Sequence, residues 1–146
     1  MSSATGPHGG PVRSPPVTNY TVCAVSDVPD VLGDYPGEMR FFSGSLGTEQ
    51  VALTYRRMPQ HTGGKGAYGH RHKTQEEVYF VVSGHLQFKI EDEVIELGPG
   101  NAVRVPPEVA RSVWNDRRED AELLIVSKRV ENVLEDAEKV EGFWPE

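Results

Sequence analysis

A chain of 146 residues with 37% hydrophobic side chains can bury one sizeable core but not two, so a single domain is expected. A formal net charge of -7 argues against a nucleic-acid partner, which needs clustered Lys and Arg, and against an anionic membrane surface. The single cysteine, Cys23, rules out an intrachain disulfide framework, and no stretch approaches the ~20 apolar residues of a spanning helix; with no signal-peptide pattern, the expected setting is the cytoplasm.

Residues 1–18 are rich in Gly, Pro and Ser and carry almost no large apolar side chains, so burial cannot repay their ordering entropy and a disordered tail is expected, with His8 solvated inside it. From residue 19 onward, short β-branched and aromatic runs alternate with Gly, Pro, Asp and Asn, the pattern of an antiparallel all-β domain over 19–130. Strands are predicted at 20–25, 39–45, 50–58, 68–72, 77–82, 85–91, 94–97, 102–105, 112–115 and 123–128. Asp92 and Glu93 read as a tight hairpin lacking the usual glycine, and Leu97-Gly98-Pro99-Gly100-Asn101 as a stronger turn. The end of the chain, 131–146, reads as a helix and tail: Val133, Leu134, Ala137 and Val140 fall at helical spacing, which predicts a short amphipathic helix on the domain's exterior.

His70 and His72 are two residues apart, so on a strand both imidazoles point to one face, and Tyr68 shares it. Glu77 heads the strongly β-forming Val78-Tyr79-Phe80-Val81-Val82, and its carboxylate meets the imidazoles if the two strands pair antiparallel. Two imidazoles and a carboxylate suit a divalent Mn, Fe, Ni, Zn or Cu ion. Glu76 competes for the role, but strand alternation turns it the other way. Lys65 sits in a Gly-rich loop that lacks the Ser or Thr of a phosphate loop, and Cys23 reads as a small buried hydrophobe.

The stretch Gly64-x5-His70-x-His72-x4-Glu77-x6-Gly84 resembles the first motif of the cupin family at every spacing. A second motif resembles Gly100-x5-Pro106 and closes at Asn115, but Glu108 stands where the family usually has glycine and Arg111 where it usually has a third histidine. The resemblance implies a jelly-roll barrel, a double-stranded β-helix, with the site at its wider end. It also suggests a homodimer joined through edge strands, for which 20–25 and 39–45 are the candidates.

Arg111 departs from the ligand set, because a guanidinium stays protonated and cannot coordinate a cation. Two readings follow. In the first, His70, His72 and Glu77 hold a divalent metal while Arg111, with Tyr68 and Tyr79 nearby, binds the carboxylate or phosphate of a small anionic molecule, as an oxygenase or isomerase type of enzyme would. In the second, Arg111 pairs with Glu77 and the barrel is a metal-free binding or structural module. The bland reading of Tyr68, Tyr79 and Trp114 is wall packing, and no residue stands out as a general base unless the pKa of Tyr68 or Tyr79 is shifted. No helix-turn-helix pattern flanks the barrel, which weakens a regulator's sensing domain as a third reading.

Overall fold

A computed structural model describes residues 19–146; the expected disordered tail, 1–18, lies outside them. The described residues form eleven strands: β1 Glu38–Phe41, β2 Val51–Met58, β3 Thr62–Gly63, β4 Ala67–His72, β5 Glu77–Ser83, β6 Leu86–Ile90, β7 Glu93–Leu97, β8 Ala102–Val105, β9 Arg111–Asn115, β10 Ala121–Lys128 and β11 Ala137–Trp144. One sheet runs β1-β2-β10-β5-β8 and the other β11-β4-β9-β6-β7, with β3 beside β9. Neighbours in space are distant in sequence and antiparallel, β2 against β10 and β4 against β11, which wraps the two sheets face to face as an all-β jelly roll.

Alternation along the strands sorts the interior into rows. Ala52 on β2, Ser127 on β10 and Glu77 on β5 form one row; Thr54, Ile125 and Tyr79 the next; Arg56, Leu123 and Val81 the third. From that row on, Arg56 apart, the interior is apolar: Met58, Val81, Leu86, Phe88, Ala121 and Leu123 belong to the buried core. Each fully buried Met, Val, Leu or Phe among them contributes roughly 1.5–3 kcal/mol of transfer free energy. The polar residues collect at the opposite end.

Several elements differ from expectation. Residues 20–25 are not a strand: Tyr20 and Val22 are exposed, a single 3-10 turn covers Val25–Asp27, and only Asp30 bridges to the edge strand, at Arg40. The segment lies instead over the outer face, where Val28, Phe42 and Tyr55 cluster with a half-buried Cys23. The strand expected at 39–45 ends at Phe41, and Phe42–Leu46 coils into a short helix, α1, closed by Gly47 in the left-handed conformation (φ 70°). The hairpin turn is Glu91-Asp92, one residue earlier than expected, with Ile90 paired to Glu93 and Glu91 itself taking φ 47°.

The C-terminal helix is a single turn, α2 Val133–Asp136, capped by the Asn132 side chain accepting from Glu135 N, and 137–144 is a strand. Val133 and Leu134 are exposed, so the apolar spacing does not pack on the barrel as a helix face. Here β11 satisfies the otherwise open edge of β4, and pairing of backbone groups over six register positions outweighs local helix propensity. The two site strands also do not pair: β4 bonds β11 and β9, β5 bonds β10 and β8, and they face each other from opposite sheets. Among the described residues no helix is long and apolar enough to cross a membrane.

The two end glycines of the first motif are sites of close approach. A Cβ on Gly64 would stand 1.9 Å from Ser112 Oγ, and one on Gly84 (φ 76°) would stand 2.7 Å from both Ala121 Cα and Asp120 O. Gly84→Ala is expected to cost about 1–3 kcal/mol, from the strained φ and the backbone collision together, read as a lower urea midpoint at unchanged slope.

Candidate metal centre

β4 presents His70 and His72 on its inner face, with ring centroids 5.0 Å apart and nearly perpendicular planes. Residues 73–76 carry the chain from this sheet to the other, where Glu77 points back toward the histidines. Glu77 Oε1 lies 3.5 Å from His70 Nε2 and Oε2 lies 3.5 Å from His72 Nε2. Glu76 turns outward to pair with exposed Arg104, as strand alternation requires.

The crossing depends on a residue that sequence reasoning missed. Asp136, buried in α2, accepts from Thr74 Oγ1 (2.6 Å), Thr74 N (3.0 Å) and Gln75 N (3.1 Å), and its other partner is His72 Nδ1 at 3.1 Å. A carboxylate only accepts, so the proton of His72 sits on Nδ1 and the Nε2 lone pair faces the interior. Burial raises the Asp136 carboxyl, but its bonds from Thr74, Gln75 and His72 outweigh that and lower it below the ordinary range. The only local sequence signal at this place is the Asn132 cap; nothing there announces a partner 64 residues away.

Glu77 is held the same way. Burial pushes its carboxyl up, but the contacts with His70, His72 and Tyr79 win and keep it well below the usual carboxylate range, which holds when the imidazole side carries positive charge, as protons on the rings or as a cation in their place. The Tyr79 hydroxyl donates to Oε1 at 2.5 Å, while burial and the Glu77 charge push that phenol well above its usual pKa. Tyr79 is therefore a donor at neutral pH and not a base. Its ring packs edge-on against Phe88, 5.5 Å between centroids.

Arg111, 1% exposed, is opposite His70 on β9. Its Nη1 donates to the carbonyls of Pro107 (3.1 Å) and Val109 (2.7 Å), so the guanidinium folds the 106–110 loop down onto the site. Nε lies 3.4 Å from Glu77 Oε1, too misaligned to bond, and Nη2 has no partner among the described residues. Tyr68 is not brought into the cluster: it is half exposed, with the Lys139 ammonium 4.2 Å from its ring centre. Asn115, fully buried, clamps a turn by donating to Met58 O and Glu119 O, both at 2.8 Å.

The donor atoms of His70, His72 and Glu77 all lie within 4.8 Å of one another. An ion ~2.1 Å from each donor needs donor separations of roughly 3–3.5 Å, which the two 3.5 Å distances from Glu77 to the imidazole nitrogens meet. The imidazole Nε2 of His72 is buried and has no hydrogen-bond partner, although it faces a carboxylate oxygen. Two acceptors facing each other without a proton between them are complementary to a cation. Beside them a cavity of about 310 Å³ opens, reached by His72, Gln75, Glu77, Thr54 and Ile125.

The family model of the cupin domain matches residues 57–127. In structure the chain is similar to a cupin protein from Bacteroides fragilis, at 22% identity and TM-score 0.63 over 79% of this chain and 88% of that one. It is similar to a cupin-superfamily sugar phosphate isomerase from Silicibacter pomeroyi, at 17% identity and TM-score 0.64 over 75% and 76% of the two chains. KdgF from Halomonas sp. superposes with TM-score 0.60 at 15% identity, covering 74% and 93%. These likenesses show the fold. No curated protein sequence matches the chain.

Because the folded-state pKa of Asp136 lies below its ordinary value of ~3.9, its charge stabilises the fold above that pH, and the gain is lost as pH falls through the lower folded value. Asp136→Asn is expected to lose about 1–3 kcal/mol at pH 7. The gap to wild type should narrow below about pH 4. Urea unfolding at pH 7 and pH 3 measures it.

Proposed function

The chain belongs to the cupin superfamily, and from that premise we propose that its barrel holds one divalent cation between His70, His72 and Glu77 and binds a small anionic molecule beside it. The observation that carries this reading is the buried, partnerless lone pair of His72 Nε2, aimed at Glu77 by the hydrogen bond from Nδ1 to Asp136. Mn, Fe, Ni, Zn and Cu all accept such a donor set. When bound, the ion supplies a Lewis-acid centre with further positions open to a ligand oxygen.

The chain's own side chains prepare that centre. Glu77 stays ionised at neutral pH, Tyr79 holds its Oε1 in place, and Asp136 keeps the proton of His72 on the far nitrogen. The loop pinned by Arg111 closes one wall, and the free Nη2 of Arg111 is a donor for an anion. An enzyme of isomerase or oxygenase type fits these parts, and an anionic, oxygen-rich substrate such as that of the sugar phosphate isomerase from Silicibacter pomeroyi, which shares the fold, suits the Arg111 donor.

A second reading rests on the 3.4 Å contact between Arg111 Nε and Glu77 Oε1, in which the guanidinium stands in for the metal's charge and the barrel is a metal-free binding module. Elemental analysis of the purified chain separates the two. About one equivalent of metal supports the first reading, and none after loading with Mn²⁺, Fe²⁺, Ni²⁺, Zn²⁺ or Cu²⁺ sinks it. In titration calorimetry, His72→Ala should abolish metal binding and Asp136→Asn should weaken it by about 10–100-fold, the usual effect of removing a ligand's outer hydrogen-bond partner.

A further inference from the structure

We propose that Arg56 is the principal anion anchor of the barrel, gripping the carboxylate or phosphate of a small oxygen-rich acid whose other end reaches the His70, His72 and Glu77 centre. The proposal rests on the reading of that centre as a ligand site and names the ligand's second point of attachment. Residues 52, 54, 56 and 58 share the inner face of β2: Ala52 and Thr54 line the cavity and Met58 lies in the buried core. Arg56 is the charge at that parity, where every pattern-based expectation places an apolar side chain.

Its neighbours leave it uncompensated. Across the sheet it is flanked by Met39 on β1 and Leu123 on β10, both apolar. The ionisable side chains that bear on it are the phenols of Tyr35, Tyr79 and Tyr68, and no carboxylate is among them. Its Nε is buried and has no hydrogen-bond partner among the described residues. Arg40, Arg57, Arg104 and Arg117, by contrast, each pair with a carboxylate. Arg56 is half-buried, and a guanidinium partly withdrawn from water without a counter-charge is costly, while its planar fork of donors matches a carboxylate or phosphate.

Charge and distance agree on the ligand class. Inside the barrel the guanidiniums of Arg56 and Arg111 offset the carboxylates of Glu77 and Asp136, so a divalent ion leaves the interior positive within a chain of net charge -7. A ligand that is itself anionic restores balance. Arg56 sits two rows from Glu77, with the Thr54, Ile125 and Tyr79 row between them. Successive rows are spaced by about 6.6 Å, so the Arg56 and Glu77 rows stand about 13 Å apart, a span that two long side chains and a molecule of a few carbon atoms between them can bridge. Tyr68 and Lys139 stand on the facing sheet, with the ammonium over the ring, and Lys139 adds a positive charge near the approach to His70.

The test uses the full chain with inorganic phosphate and malonate as probes, at constant ionic strength set with chloride, read by titration calorimetry and by thermal shift. Wild type should bind both probes, and Arg56→Gln and Arg56→Met should each weaken them at least tenfold while leaving Mn²⁺ affinity within about twofold. Arg56→Met keeps the stem's packing and removes the uncompensated charge, so without probe it should melt at or above wild type, an outcome that a purely structural arginine would not give. Unchanged probe affinity in Arg56→Met, or no binding of either probe to wild type, overturns the proposal. Probe binding that depends on Arg56 in a chain that takes up no metal upholds the anchor and overturns only the metal reading.

Discussion

The Asp136 carboxylate accepts four hydrogen bonds, one from His72, two from Thr74 and one from Gln75, and through them it ties the end of one sheet to the start of the other. The same contacts set the bend that carries the chain from β4 to β5, the tautomer of His72 and the direction of its lone pair. Without that bend Glu77 would not face the imidazoles. Because Asp136 sits on a single helical turn immediately before β11, the docking of β11 along β4 is what delivers it, and the site and the C-terminal sheet edge are one construction.

A second constraint is the gradient along the barrel. The interior is apolar from Met58 and Ala121 through Leu123 and Val81, and it becomes polar over the two rows that end at Glu77. The apolar end supplies the stability that lets the other end hold charged groups short of partners. His72 Nε2 and Arg111 Nη2 are buried polar atoms without partners at that end, and Arg56 Nε is another in the row where the apolar part begins.

Most of the strands were legible because one face of each is buried, which imposes a period of two on the sequence. Residues 102–105 were placed to the residue, and β2, β5 and β10 to within a residue or two. The errors share a cause. Segments 20–25 and 42–45 carry apolar residues that cover the outside of a sheet, so they show strand-like composition without strand pairing. Residues 137–144 show helical spacing, yet the open edge of β4 recruits them as a strand. Composition and period report burial; they do not report which backbone a segment will bond to.

The first motif spans 21 residues: local strand geometry put His70 and His72 on one face, and the motif's spacing brought Glu77 to them, although the pairing expected between the two strands does not form. The substitution of Arg111 for a histidine was equally plain, as was its consequence that a guanidinium cannot ligate a metal. What only the tertiary structure decided were the residues that meet across long separations: Asp136 behind His72, Arg56 beneath the Tyr79 row, and Arg111 committed to the carbonyls of its own loop. The physical reason is that a side chain's direction follows from its own strand, whereas its partner follows from which strand the fold lays opposite, and that is settled by sheet order rather than by any neighbour in sequence.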